Sequence, residues 1–223
     1  FFKRGKKIIQ CENLNVKDIT ANEKGTSFVL DSHGQFEISL YGKKNAWNAA
    51  GVITALVGLG FKIEDIRKAI KTFTGPKRRF EQKFVNKETY LFDDYAHHPK
   101  EIEATINAAR KKFSGKRIIV VFQSHTFSRT QALLKDFSKA LSRADYTFVL
   151  PIFSSARENP VDFSVTHHNI EESAERNVKA VDSKDSLLAE LRKILKRGDV
   201  IFTMGAGDVY KLEGDIIEII RKV

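Results

Sequence analysis

Thr89-Tyr90-Leu91-Phe92-Asp93-Asp94-Tyr95-Ala96-His97-His98-Pro99 carries an apolar run directly into two acids and two imidazoles. Thr89 to Asp94 reads as a buried strand, and Pro99 stands where proline favours the first turn of a helix, here predicted to run to about Phe113. A strand followed at once by a helix is the unit of an open α/β sheet, whose ligand crevice lies beyond the carboxyl ends of its strands. The acids and imidazoles are therefore predicted to point into that crevice. Working outward, Arg117-Ile118-Ile119-Val120-Val121-Phe122 forms a second apolar strand. It runs into Gln123-Ser124-His125-Thr126-Phe127-Ser128-Arg129-Thr130, a second polar string at a strand end.

The same alternation continues to the carboxyl end. Strands near 89–94, 117–122, 146–152 and 199–204 are separated by helices near 99–113, 129–143 and 184–196, which is the pattern of a Rossmann-like, mostly parallel, doubly wound sheet. Upstream, Thr74-Gly75-Pro76-Lys77-Arg78-Arg79-Phe80 breaks the pattern, and its Gly-Pro pair predicts a hinge between domains. Residues 1–75 have a different texture. Thr26 to Leu30 and Phe36 to Tyr41 alternate around the polar turn Asp31-Ser32-His33-Gly34, which predicts an antiparallel hairpin. A helix from Lys43 to Gly60 and a second from Ile63 to about Phe73 follow. The fold class is thus α/β, with a parallel-sheet domain over 76–223 preceded by the tail of a second α/β domain. No internal repeat or low-complexity segment is visible.

Composition narrows the class. The chain has 223 residues, 42% hydrophobic and 30% charged, the balance of a soluble globular protein. No apolar run approaches the roughly 20 residues a membrane span needs. Phe1-Phe2-Lys3-Arg4-Gly5 lacks the apolar stretch of a secretory leader, and because Phe1 is not Met the chain is expected to be a fragment. The single cysteine, Cys11, excludes an internal disulfide and a cysteine-rich metal cluster, suits a reducing cytoplasm, and reads as apolar filler in a strand. The net charge of +10 favours an anionic partner. Many of the cations fall at predicted helix ends, such as Arg110-Lys111-Lys112, where they complement the dipole, and no nucleic-acid motif accompanies them.

Each strand-end residue has a chemistry and a plainer alternative. Asp94 can accept hydrogen bonds from ribose hydroxyls, Arg79 and Arg129 can grip phosphate oxygens, and His97 and His125 can exchange protons near neutral pH. His98 is expected to cap the helix that begins at Pro99, and Asp93 to hydrogen-bond its local turn. Met204-Gly205-Ala206-Gly207-Asp208 fits either a close backbone approach to a ligand or a tight turn. Asn45 and Asn48, at the start of a helix, fit adenine binding, with capping the plainer expectation for Asn45.

Five segments together resemble the Mur ligase family of peptidoglycan synthesis: Gly42-Lys43-Lys44-Asn45-Ala46-Trp47-Asn48, Lys77-Arg78-Arg79-Phe80, Asp93 to Pro99, Phe122 to Thr130, and Gly205-Ala206-Gly207-Asp208. They run in family order across nearly the whole chain, the Asp-Asp-Tyr-Ala-His-His-Pro string being the most specific. Two departures stand out. Lys44 occupies a position where the family usually has His, and Ser124-His125-Thr126-Phe127 replaces the usual Pro-His-Arg-Tyr. Thr126 thereby removes a cation expected near the amino-acid substrate.

The resemblance implies an ATP-dependent ligase that joins L-alanine to UDP-N-acetylmuramate through an acyl phosphate, serving cell-wall biogenesis and hence cell shape and division. It implies that Arg79, His97, His125 and Arg129 are catalytic, that Asn45, Asn48 and Asp94 contact the nucleotide, and that Tyr95, His97, His125 and Arg129 meet the substrates. Magnesium is implied, with ligands mostly elsewhere. The family's phosphate-cradling loop, Gly-rich and ending in Lys and Ser or Thr, is absent from this sequence. Residues 1–75 are accordingly expected to be the tail of the ATP-binding central domain, with that loop preceding Phe1. Two other readings stay open: a metal-dependent phosphoesterase using Asp93, Asp94, His97 and His98, and a non-catalytic nucleotide-binding module.

Overall fold

A computed structural model describes residues 14–22, 25–31 and 33–223. Cys11, the opening Phe1 to Gly5 and Ser32 of the predicted hairpin turn lie outside the described residues. The chain divides into two compact units, the first ending at Pro76 and the second running from Lys77 to Val223.

In the first unit, strands β1 (Val16–Asn22), β2 (Gly25–Leu30) and β3 (Gly34–Ile38) form an antiparallel sheet in the order β1-β2-β3. The predicted hairpin is the β2–β3 pair, with Phe28 opposite Phe36. Both rings are buried and stack 5.8 Å apart. Helices α1 (Lys43–Gly58) and α2 (Ile63–Thr72) cover that face, with Ala46, Ala50, Ile53 and Ile66 joining Phe28, Leu30, Phe36 and Ile38 in one core.

The second unit is built on a six-stranded sheet ordered β4-β5-β9-β6-β7-β8. Its strands are β4 (Glu81–Asn86), β5 (Thr89–Asp94), β6 (Ile118–His125), β7 (Tyr146–Phe153), β8 (Val178–Ala180) and β9 (Val200–Met204). Only β4 is antiparallel to its neighbour. Helices α3 (Pro99–Lys112), α5 (Leu134–Leu141) and α6 (His167–Glu172) pack on one face, where Ile102, Ile106, Phe137 and Ile170 meet Phe92, Val120, Phe122 and Phe202. Helices α7 (Lys184–Ile194) and α8 (Glu213–Ile220) pack on the other, against Leu91, Ile119, Val121 and Ile201. Cover on both faces explains why Ile118 to Phe122 reads as an unbroken apolar run, with all five residues at 0% exposure. Each such side chain contributes roughly 1.5–3 kcal/mol by leaving water.

Three features depart from the sequence expectations. Strands β4 and β8 and helices α6 and α8 were not foreseen: β4 is an edge strand of mixed polarity, β8 has only three residues, and the helices have six and eight. The predicted helix 129–143 is two helices, α4 (Phe127–Ala132) and α5, broken at Leu133. The Thr130 hydroxyl bonds back to the Thr126 carbonyl at 2.7 Å, a contact that bends helices. Asn45 does not cap α1. The N-cap is Gly42, and the Asn45 amide instead donates to the Tyr41 carbonyl at 2.9 Å.

Candidate functional site

At the end of β5, two adjacent acids point to opposite faces and do different work. Asp93 is 1% exposed and accepts from Arg78 Nε at 2.8 Å and from the Thr203 hydroxyl at 3.0 Å. Arg78 then donates to the carbonyls of Gly205 (2.7 Å) and Gly207 (3.3 Å), and its guanidinium lies over the rings of Tyr95 and Tyr210. The expectation that Asp93 serves only its local turn is thereby corrected. It anchors an arginine that crosses to the glycine turn after β9, because a buried carboxylate needs a charged partner and its own turn offers none.

Asp94 is enclosed as well. One carboxylate oxygen accepts from Ala96 N at 2.8 Å, the other from Phe80 N at 2.9 Å and the Thr105 hydroxyl at 3.3 Å. Burial pushes its pKa above the usual carboxylate value, against the pull of the Ala96 and Phe80 amides. Arg78 and Phe80, at φ 60° and 49°, occupy the left-handed region, and the bonds from Asp93, Asp94 and Tyr95 N to this segment hold them there. Between them Arg79 is half-exposed, above the Tyr95 ring at 5.4 Å and 3.9 Å from Glu101.

His97 follows in the same turn. Its Nδ1 lies 3.0 Å from the Tyr95 carbonyl and 3.4 Å from Glu101 Oε2, two acceptors. Nδ1 therefore carries the proton in the neutral ring, and Nε2 is the nitrogen able to accept one. His98 caps α3 by accepting from Lys100 N at 3.3 Å.

The end of β6 is held differently. Arg129 donates to the His125 carbonyl at 2.6 Å, and the His125 ring packs on Phe153 with centroids 5.5 Å apart. Burial lowers the His125 pKa, and the neighbouring charges of Arg129 and His97 lower it further. Glu158, from the loop after β7, accepts from Phe127 N at 2.8 Å and from the Ser128 hydroxyl, fastening that loop across the start of α4. Ser128 holds the Glu158 carboxyl below its usual range.

The glycine turn lies between these two strand ends. Asp94 of β5 and Phe122 of β6 are both level with Met204 of β9, so the two polar strings leave the sheet at one height and on one edge. A Cβ on Gly205, at φ 140°, would stand 2.3 Å from the Gln123 carbonyl, and one on Gly207 would stand 2.6 Å from Gln123 Oε1. The glycines are thus needed for the close approach of β9 to β6. Gln123 Oε1 accepts from Asp208 N at 3.0 Å.

Of the residues singled out from sequence, Arg79, Asp94, Tyr95, His97, His125 and Arg129 belong to this edge. Asn45 and Asn48 belong to the first unit, with Asn48 exposed. Arg78 and Glu158 were missed as individual residues. Arg78 stood inside the Lys77-Arg78-Arg79-Phe80 segment, whereas Glu158 sits in a loop with no sequence signal at all. The phosphoesterase reading fails on geometry, because Asp93 and Asp94 spend their oxygens on protein donors and diverge.

The family model for the Mur ligase, glutamate ligase domain matches residues 78–207, more than half of the chain. The chain belongs to the Mur ligase family. Among curated Mur ligases, UDP-N-acetylmuramate–L-alanine ligase of Streptococcus equi subsp. zooepidemicus is 39% identical over 212 residues, covering 92% of this chain and 46% of the relative. A crystal structure of UDP-N-acetylmuramate-alanine ligase from Thermotoga maritima superposes with a TM-score of 0.71 at 24% identity, covering 93% of this chain and 45% of that one. A MurF ligase from the same organism, crystallised with ADP, gives 0.65 at 19%, covering 93% and 45%. The two structures share the fold, and the chain spans about half the length of each of these three relatives. Among the described residues, no helix is long and apolar enough to cross a membrane.

Proposed function

We propose that this chain forms the carboxy-terminal part of an ATP-dependent ligase that joins L-alanine to UDP-N-acetylmuramate. Residues 1–75 would be the tail of the ATP-binding central domain, and 76–223 the carboxy-terminal domain. The observation that carries the proposal is the pair of polar strand ends level with Met204, which brings the His97 and His125 strings to the same end of the sheet. The 39% identity to ligases of that name supports the choice of substrates.

The residues fit the reaction's charges. A carboxylate is a poor electrophile, and ATP supplies the phosphoryl group that turns it into an acyl phosphate. Negative charge gathers as that bond forms and again as phosphate leaves. Arg79, whose ion pair with Glu101 is 3.9 Å long, and Arg129 would neutralise it. The incoming amine must shed a proton before attacking. His125, neutral at pH 7 because burial disfavours its cation, and His97 through Nε2 are the groups to accept it.

Tyr95 would form the floor under Arg79 and, edge-on to His97, fix that ring. Asp94 would act at one remove from the nucleotide, since all three of its donors come from the protein and it holds the segment carrying Arg79. Asn45 and Asn48 would line the adenine end. The phosphate loop and the magnesium ligands would come from outside these residues, and closure about Gly75-Pro76 would exclude water from the acyl phosphate. Because ATP is a cytoplasmic nucleotide, the reaction belongs in the cytoplasm.

The test is a chimera in which residues 77–223 replace the aligned segment of the Streptococcus equi enzyme. Phosphate release dependent on both UDP-N-acetylmuramate and L-alanine is expected, with kcat falling about 100-fold in Arg79→Ala and in His125→Ala. A folded chimera that releases no phosphate with UDP-N-acetylmuramate and L-alanine would defeat the proposal. Joining of the two substrates by this chain alone would contradict its partial character.

A further inference from the structure

The described residues contain one grouping of three metal-ligating side chains, and it is not at the proposed ligase site. Helix α6 opens with His167 and His168, and Asp182 follows strand β8 at the outer edge of the sheet. Both Nε2 atoms converge on one carboxylate oxygen: Asp182 Oδ1 lies 3.1 Å from that of His167 and 2.7 Å from that of His168. All three donor atoms lie within 4.8 Å of one another, and the imidazole centroids are 4.2 Å apart.

Two imidazole nitrogens and one carboxylate oxygen are the donor types that a first-row divalent cation takes. At these separations the Nε2 protons are shared with Asp182, and they would leave Nε2 as the ion binds. Donors at about 2.0–2.2 Å from such an ion sit about 2.9–3.4 Å from one another, so the two nitrogen–oxygen separations need to open by only a few tenths of an ångström.

The surroundings fix these donors in place. Glu171 accepts from Ala180 N at 3.1 Å, tying α6 to the end of β8, and the Ser138 hydroxyl donates to the Ile170 carbonyl at 2.9 Å, tying α6 to α5. Thr166 and Asn169 close a capping box at the start of the same helix. His167 is buried, whereas Asp182 is open to solvent, which leaves an entry path.

We propose that His167, His168 and Asp182 bind a divalent cation of the zinc class, with water completing its shell. Two imidazoles and one carboxylate favour zinc, nickel, cobalt or copper over calcium or magnesium. The ion would clip α6 to the segment after β8, a structural role independent of the ligase reading.

Zinc titration of this chain against a chromogenic competitor tests the site. One equivalent is expected to bind with a dissociation constant tighter than about 0.1 mM. His168→Gln and Asp182→Asn, both at exposed side chains, should each weaken binding at least about tenfold, and the double variant His97→Gln/His125→Gln should leave it unchanged. At tenfold excess over the dissociation constant, zinc should raise the melting temperature of the unaltered chain by about 3–6 °C and that of Asp182→Asn by at most about 1–2 °C. The proposal is overturned if no equivalent binds, or if either single variant binds zinc as tightly as the unaltered chain.

Discussion

The ends of β5 and β6 share an edge, a height and a polar character, yet they are stiffened by opposite means. After β5, two buried carboxylates fix the backbone around Arg78, Arg79 and the glycine turn. After β6, the fastening is made by main-chain carbonyls, by the half-exposed Glu158 and by the buried hydroxyl pair of Ser124 and Thr130. Burial makes a charge expensive unless paired, so the first end is rigid and intolerant of change, whereas the second rests on neutral groups and on a carboxylate that water reaches. Damage to stability should therefore concentrate after β5, and damage to chemistry should appear at both ends.

The largest effect is expected from Asp93→Ala, which leaves the Arg78 guanidinium and the Thr203 hydroxyl without their partner. Urea unfolding should lose about 3–5 kcal/mol. A loss under about 1 kcal/mol would show that the two ends are held alike. Next comes Gly205→Ala, where the new Cβ meets a backbone carbonyl at a φ that L residues avoid; about 2–3 kcal/mol should disappear, read from the same urea curves. Asp94→Asn keeps the shape but turns an amide donor toward the Phe80 or Ala96 N–H, so about 1–2 kcal/mol is expected.

At the end of β6 the distinguishing variable is pH. The folded pKa of His125 lies below its unfolded value, so the unfolded chain binds more protons in the interval between them. Stability should thus fall as pH drops through about 6.5 toward the folded value, and His125→Gln should flatten that part of the profile. An unchanged pH profile in the variant would remove His125 from the buried set. The smallest stability effect belongs to Arg79→Ala, within about 0.5 kcal/mol, since its ion pair is long and exposed. Set beside the large kcat loss expected in the chimera, it would separate chemistry from scaffolding within one three-residue segment.

Legibility in the sequence followed burial symmetry. Strands β5, β6, β7 and β9 lie in the interior of the sheet, so their apolar runs announce them, and their order with the intervening helices gave the α/β class. Strands β4 and β8 are the sheet's two edges, one polar on its exposed face and one three residues long, and neither leaves a pattern. The kink at Leu133 was hidden because it stems from side-chain hydroxyls, without a glycine or proline to mark it. Of the candidate site residues, Tyr95, His97, His125 and Arg129 were picked out by their position after strands, and Arg79 by the basic segment that precedes β4. Arg78 was not distinguished from Arg79, since identical neighbours differ only in which way the backbone turns.

Local sequence determined the elements, their sense along the chain and the two polar strings, because period, proline placement and apolar runs act over a few residues. Tertiary structure alone decided the partners. It set Asp93 on an arginine 15 residues upstream, placed the glycine turn between two strands that are neighbours of β9 but not of each other, and gathered His167, His168 and Asp182 at the far edge. The reason is physical: a buried charge or a close backbone approach is satisfied by whatever group the sheet order brings alongside, and that order is fixed by packing the whole core at once.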